Sequence, residues 1–298
     1  MTFSAQVKAE LCKVPIEHEK CALAELCGIV LFAQSFDARS LRIVTGNAEL
    51  VGRVSRLLKL LFGFDFDKKI IPTAALKKYS LVIQSQEKLG VLFDAFGFEL
   101  GSTNVIRLNA ALVEDDRTRA AFLRGVFLAS GSVFDPQTTY HLELTTSHFR
   151  LSREVLAMLP ELNLRAKCTE RKGNFVIYFK ESSMVEDVLT LIGAPIAAMH
   201  VMETKMYKEL KNRVNRKSNF ENANYEKMLD TAARQVKAFE TLDLDSLPEK
   251  LREAARVRIE NPEKTMAELC EILGDVTKSG LNHRFRKLME LAEKEKEK

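Results

Sequence analysis

The chain has 298 residues, with 45 Lys and Arg against 41 Asp and Glu for a net charge of +4, and it is 46% hydrophobic and 29% charged. That is ordinary globular composition, which excludes a disordered or collagenous chain and, at this length, a small stapled scaffold; two domains or an internal duplication are expected. Five cysteines (Cys12, Cys21, Cys27, Cys168 and Cys270) form no CxxC pair and have no His at zinc spacing, so neither a disulfide framework nor a structural metal is expected, and the chain reads as a protein of the reducing cytosol.

The N-terminal stretch lacks a basic-then-apolar export pattern, and the longest apolar run, Leu26 to Ala33, falls far short of the roughly 20 residues that span a bilayer, so no membrane partner is expected. That run opens an internal repeat. Leu26-Cys27-Gly28-Ile29-Val30-Leu31-Phe32-Ala33-Gln34-Ser35 returns 97 residues later as Leu123-Arg124-Gly125-Val126-Phe127-Leu128-Ala129-Ser130-Gly131-Ser132. Asn47 to Leu58 parallels His148 to Leu159 at an offset of 101, and Val91 to Gly97 parallels Asp187 to Gly193 at an offset of 96. Between these helical blocks lie β-branched or alternating stretches, 41–45, 79–83, 140–145 and 174–179, which read as strands. Each half is then helix, two strands, helix, two strands, helix (αββαββα). The short connections require antiparallel sheets, and the two α+β halves pack as a pseudodimer.

From about Ile196 the strand signals stop. Met199, Met202, Met206 and Leu210 recur at spacings of three and four, and the methionines read as core filling. Lys205 to Lys217 holds six basic residues against Glu209, a charge of +5, and reads as a basic linker. Ser218-Asn219-Phe220-Glu221 fits a capping box that opens a further helix, and Leu247-Pro248 opens another, closed by Asn261-Pro262.

Thr265-Met266-Ala267-Glu268 is a second capping box, starting a short helix that Gly274 ends in a left-handed turn. Thr277 then starts a helix whose apolar residues Leu281, Phe285, Leu288 and Ala292 mark one buried side. Opposite them stand Ser279, Asn282, His283 and Arg286, with Lys278, Arg284 and Lys287 on the flanks and no acid between Thr277 and Met289. This is helix-turn-helix patterning. A narrow rod carrying Asn and Arg can enter a major groove and read base edges while Lys and Arg neutralise phosphates. A solvated helix in an all-α bundle is the alternative.

The chain resembles the WhiA family of bacterial sporulation and cell-division DNA-binding regulators. The resemblance rests on Phe3-Ser4-Ala5-Gln6-Val7-Lys8-Ala9-Glu10-Leu11-Cys12, on Asn212-Arg213-Val214-Asn215-Arg216 with Asn222-Ala223-Asn224, and on Ser279-Gly280-Leu281-Asn282-His283-Arg284. It implies a degenerate homing-endonuclease domain of the LAGLIDADG type joined to a helix-turn-helix domain similar to the promoter-reading region of sigma factors. The implied division is residues 1–200 for the nuclease-like domain (repeats about 20–100 and 117–195), 201–218 for the basic linker and 219–298 for the helix-turn-helix domain. Active nucleases of that type end each motif helix with an acid that binds a catalytic divalent metal. Here Ala33 and Ser130 stand at those places, so catalytic residues, metal and cofactor are expected to be absent. Asp37 and Asp135 follow shortly after, but a loop Asp more often serves its own turn.

The expected DNA-binding residues are the seven named on the last helix together with Lys211, Arg213, Arg216 and Lys217. A second DNA face on the strands would use Arg42, Lys77, Lys78, Arg165, Lys167, Arg171 and Lys172, with Lys68, Lys69 and Lys180 beside them; edge protection by lysine is the plainer reading of these. Gly28 and Gly125 let the two motif helices approach closely, and Cys27 reads as a small core residue. His18, His141, His148 and His200 are scattered, with no nucleophile elbow and no phosphate loop. The resulting expectation is a cytoplasmic, nucleoid-associated, non-enzymatic regulator of transcription bound to double-stranded DNA, with RNA polymerase or another transcription factor as an open further partner. An interaction scaffold and a metal-dependent endonuclease remain as alternatives.

Overall fold

A computed structural model describes residues 2–73, 78–98 and 106–296. The chain divides into two compact units, Met1–Lys208 and Glu209–Lys298. In the first, helix α1 (Phe3–Leu11) precedes one repeat made of α2 (Glu19–Leu31), β1 (Ser35–Phe36), β2 (Leu41–Thr45), α3 (Ala48–Phe62), β3 (Lys68–Ile70), β4 (Tyr79–Ile83) and α4 (Gln86–Phe96). The second repeat is α5 (Asp116–Ser130), β5 (Ser132–Val133), β6 (Leu142–Thr146), α6 (Phe149–Met158), β7 (Lys167–Arg171), β8 (Asn174–Phe179) and α7 (Ser182–Ile192). Both follow the αββαββα order. Each repeat builds one antiparallel sheet, in the orders β1-β2-β4-β3 and β5-β6-β8-β7.

Local chemistry accounts for the elements. Asn47 caps α3 by accepting from the Glu49 N–H at 2.8 Å, and Leu50, Val54, Leu57 and Leu58 form its buried stripe. Leu151, Val155 and Met158 repeat that stripe on α6. Asp115 and Thr118 cap α5 reciprocally. In the central strands Leu41 and Ile43 point inward and pair with Ile83 and Leu81, while Leu142 and Leu144 pair with Phe179 and Ile177. The edge strands carry no such signal: β3 is exposed throughout and β1 and β5 are two residues long.

The two repeats meet along α2 and α5. A Cβ on Gly28 would clash with the Phe122 carbonyl oxygen and lie 2.9 Å from the Val126 nitrogen; one on Gly125 would clash with the Glu25 carbonyl oxygen and lie 3.0 Å from the Ile29 nitrogen. Backbone lies against backbone there, the close approach expected from the matched glycines of the two repeats. At the same seam Glu25, 1% exposed, binds the equally buried Arg53 through its Nε and, at 2.8 Å, its Nη2, and binds Arg124 of the other repeat at 2.9 Å. Arg53 also donates to the carbonyls of Cys12 and Val14, and Arg124 to that of Ile192. Burial pushes the Cys27 thiol upward, which suits an inert core residue.

Helix α8 (Pro195–Phe239) is continuous for 45 residues. Its start is capped from α1, where the Glu10 carboxylate accepts from the N–H groups of Ile196 and Ala197 at 2.7 and 3.1 Å. The basic stretch 205–217 is therefore helical, and Ser218 is an interior position rather than the start of a new helix. Nothing between Ile196 and Phe239 is Gly or Pro, so no residue breaks the helix there. Met199, Met202 and Met206 are not core residues: they are exposed, and Ala197, Ala198 and Val201 on the opposite face are buried instead. In the second unit Ala238 and Phe239 pack with α9 (Glu249–Glu260), α10 (Met266–Leu273) and α11 (Lys278–Lys296) around Leu251, Ala254, Leu269, Leu281, Phe285 and Leu288.

The glycine seam makes a prediction with an internal control. Gly28→Ala and Gly125→Ala should each lower stability by about 1–3 kcal/mol through backbone clash. Gly52→Ala in α3, where a Cβ meets nothing within 4 Å, should raise it by up to about 1 kcal/mol through helix propensity. Urea unfolding of the three variants checks the contrast.

Candidate nucleic-acid interface

The crossing of α2 and α5 brings their C-terminal ends to one cleft between the sheets. Ala33 and Ser130 both line it, with Gln34, Thr145, Ser147 and Asn174 supplying amides and hydroxyls and no charged side chain. Ser130 Oγ accepts from the Thr145 N–H at 3.4 Å. A divalent cation asks for hard, anionic oxygen ligands, and a methyl group and a neutral hydroxyl do not fit one. Neither Asp37 nor Asp135 lines this cleft: Asp37 Oδ1 accepts from the N–H groups of Arg39 and Ser40 at 2.7 and 2.9 Å, and Asp135 Oδ1 from that of Gln137 at 2.8 Å, each within its own turn. Among the described residues no three His, Cys, Asp or Glu side chains group as metal ligands.

The register sorts the strand cations by face. In the first sheet Arg42 stands opposite Val82, which in turn faces Lys68, so Arg42 and Lys68 share the outer face with Ser80, to whose Oγ the Arg42 Nε donates at 3.1 Å. Lys69 points the other way and pairs with Asp65 at 2.7 Å. In the second sheet Lys167 and Arg171 are on the outer face, where Arg171 meets Glu143 at 3.0 Å. Burial alone would raise the Glu143 carboxyl, but hydrogen bonds from His141 and Arg171 outweigh it and hold the group below its ordinary value. That face is consequently less positive than its Lys and Arg count suggests. Lys78, Arg165, Lys172 and Lys180 are exposed beside the strands, with Lys172 at positive φ in the β7–β8 turn. Lys77 lies outside the described residues.

The strongest assembly is at the C-terminus. Thr265 and Glu268 close a reciprocal capping box at the start of α10, the Glu268 carboxylate accepting from the Thr265 N–H at 2.7 Å, and that contact holds its carboxyl low. Gly274 ends α10 with φ +73° and ψ −56°, and the Asp275 N–H reaches the Leu273 carbonyl at 2.9 Å. This is a γ-turn rather than the left-handed helical cap expected from sequence, although it needs the same positive φ. Thr277 caps α11, its Oγ1 accepting from the Gly280 N–H at 3.2 Å. Leu281, Phe285, Leu288 and Ala292 are buried, while Lys278, Ser279, Asn282, His283, Arg286 and Lys287 are all exposed on one helix. Arg284 is half-buried and lies 3.5 Å from the Lys250 carbonyl. Lys211, Arg213, Arg216 and Lys217 are exposed on α8.

Sequence reasoning missed Arg258. Only 2% exposed, it donates to the Lys264 carbonyl at 2.8 Å and lies 5.3 Å from the Phe285 ring centroid, tying the corner before α10 to the floor of α11. Its signal was present, because it continues the Leu251, Ala254, Ala255 stripe at helical spacing, but an Arg in such a stripe reads as a stray charge.

Residues 214–292 match the model of the WhiA C-terminal HTH domain and residues 119–211 that of the WhiA LAGLIDADG-like domain. A protein of Ruminiclostridium cellulolyticum described as "Probable cell division protein WhiA" is 34% identical over 306 residues, covering 99% of this chain and 98% of its own. A protein of the same description from Desulfitobacterium hafniense is 36% identical over 311 residues, covering 99% and 96%. Among solved structures, full-length WhiA from Thermotoga maritima is similar with a TM-score of 0.61 at 25% identity, covering 99% of both chains. The N-terminal LAGLIDADG domain of a WhiA protein matches with a TM-score of 0.51 at 21% identity over 64% of this chain and 92% of that one.

The γ-turn can be tested directly. Gly274→Ala forces an L side chain to positive φ and should destabilise the C-terminal unit by about 1–3 kcal/mol. Hydrogen exchange should localise the loss to α10 and α11 and leave α2 and α5 protected.

Proposed function

The chain belongs to the WhiA family, and from that premise we propose that it is a sequence-specific, double-stranded-DNA-binding regulator of transcription without nuclease activity, acting in cell-division or sporulation-type control. The observation that carries the reading is the outer side of α11, where exposed Asn282, His283 and Arg286 stand among Lys278, Ser279 and Lys287 with no acid among them. A helix of that width enters the major groove. Asn and Arg can each form two hydrogen bonds to one base, and the lysines neutralise flanking phosphates. Arg284, held back toward α9, would reach a phosphate at the groove edge rather than a base. Lys211, Arg213, Arg216 and Lys217 on α8 add sequence-independent attraction. No helix among the described residues is long and apolar enough to cross a membrane.

The base contacts and the phosphate contacts have different signatures. Asn282→Ala and Arg286→Ala should each relax discrimination at individual base pairs by about 1–3 kcal/mol. Lys287→Ala should weaken binding to all sequences alike and make the slope of log affinity against log salt shallower by about one. Footprinting and salt titration separate them, and unchanged site preference in both the Asn282 and Arg286 variants overturns the groove assignment.

The neutral cleft supports the proposed absence of cleavage. Hydrolysis at a LAGLIDADG-type site needs carboxylate-held metal aimed at the phosphate, and Ala33 and Ser130 supply no counter-charge. Supercoiled plasmid and a mapped specific site incubated with the protein in Mg²⁺ and in Mn²⁺ should stay intact. Cleavage lost on EDTA addition and on Asp37→Asn or Asp135→Asn would reverse the reading.

A further inference from the structure

Helix α8 is apolar on two opposite sides in its first half. Ala197, Ala198 and Val201 face the core, whereas Ile196, Met199, Met206 and Leu210 are 55–70% exposed. Further along, every residue from 209 to 227 is exposed, although Leu210, Val214, Phe220 and Tyr225 fall within that stretch. A line of exposed large apolar side chains marks a binding surface.

The line has coiled-coil spacing. Positions 196, 199, 203, 206, 210, 213, 217 and 220 alternate steps of three and four, a heptad seam about 36 Å long. They hold Ile196, Met199, Glu203, Met206, Leu210, Arg213, Lys217 and Phe220. Two copies of this seam can meet parallel or antiparallel, and the charges decide. Parallel and in register, Glu203 meets Glu203, Arg213 meets Arg213 and Lys217 meets Lys217. Antiparallel about a two-fold axis at position 208, Ile196 meets Phe220, Met206 meets Leu210 and Glu203 meets Arg213. In that arrangement the alkyl stem of Lys217 covers Met199 while its ammonium reaches the rim. Shifting the antiparallel register by one heptad in either direction sets Arg213 against Ile196 or Leu210. Of these arrangements only the one about position 208 sets acid against base, and Met199 is then the one apolar seam residue that meets a charged side chain.

We propose that α8 is the interface of an antiparallel homodimer, with the Glu203–Arg213 pair formed twice across the axis and fixing the register. The contact is isologous, so it closes at two chains and does not propagate. In the dimer Arg213 and Lys217 are engaged in the seam, so of the α8 cations that attract DNA it is Lys211, off the seam, and Arg216, at its rim, together with Lys205, that stay available to phosphates.

The test is sedimentation equilibrium of the full chain without DNA, from nanomolar to high micromolar concentration, so that its outcome is independent of DNA binding. A dimer is expected. Glu203→Arg and Arg213→Glu should each raise its dissociation constant about tenfold or more, because every dimer then carries two like-charge contacts. The double variant E203R/R213E should restore it to within a few-fold. Met206→Glu should abolish it while leaving the circular dichroism spectrum unchanged, since the residue is exposed in the single chain. A monomer at every concentration overturns the proposal, including the case in which the apolar line instead takes a helix of another protein or a vesicle surface. A dimer that neither single charge reversal weakens, or that the double variant fails to restore, overturns the antiparallel register and with it the proposed interface.

Discussion

Much of the first unit depends on one constraint: the backbones of α2 and α5 touch. Gly28 and Gly125 face the carbonyls of Phe122 and Glu25 with no room for a methyl group, so both helices are fixed in rotation as well as distance. Everything downstream inherits that geometry. Ala33 and Ser130 reach the same cleft because one lies just past the end of α2 and the other ends α5, each helix being pinned a turn or two earlier, and each sheet hangs from the end of its own motif helix. Glu25 adds specificity to the seam. A buried carboxylate held by Arg53 of its own repeat and Arg124 of the other costs much desolvation, and its net contribution to stability is small beside the penalty for leaving it unpaired. Mispaired repeats would pay that penalty. The triad therefore selects the correct apposition more than it strengthens it.

The inner strands, the motif helices and the C-terminal helices were legible in the sequence because each must bury one side, and burial leaves a period. Leu41 to Thr45 and Tyr79 to Ile83 alternate against a core, and Leu281, Phe285 and Leu288 recur along one side of α11. The edge strands left no such trace: Lys68-Lys69-Ile70 is exposed on every residue, and two-residue strands are too short for any period. The Ser218 capping box failed for a related reason. A cap signal states that a helix could begin there, but a chain with no Gly or Pro continues an existing helix at lower cost than it starts a new one. Periodicity also cannot say which of two apolar sides is covered. On α8 the small residues Ala197, Ala198 and Val201 are the buried ones, because close packing against the unit excludes larger side chains, and the methionines were left outside.

The candidate site was legible in its chemistry and less so in its positioning. Reading α11 needed only the absence of acids and the place of Asn282 and Arg286 opposite the buried stripe. What holds α11 in place was harder to see. The γ-turn at Gly274 and the buried Arg258 beneath Phe285 are tertiary facts, since a glycine announces a positive φ without its ψ, and an arginine announces a charge without its burial.

The electrostatics of the two units divide the proposed work between them. A metal-dependent nuclease must concentrate negative charge where it meets the most negative part of its substrate, and it tolerates the repulsion only because the cation lies between. With Ala33 and Ser130 in the cleft and no charged side chain lining it, that acidic charge is missing there, and the proposal that the protein binds DNA without cutting it rests on this. The outer face of the second sheet is neutralised further by Glu143, which holds Arg171 and His141 to itself. On the proposed reading, non-specific attraction falls to the exposed cations of α8 and specificity to the acid-free side of α11. The first unit thus keeps a pair of sheets around a neutral cleft, while the proposed recognition rests on the second unit, where exposed Asn282, His283 and Arg286 stand on α11 with no acid among them.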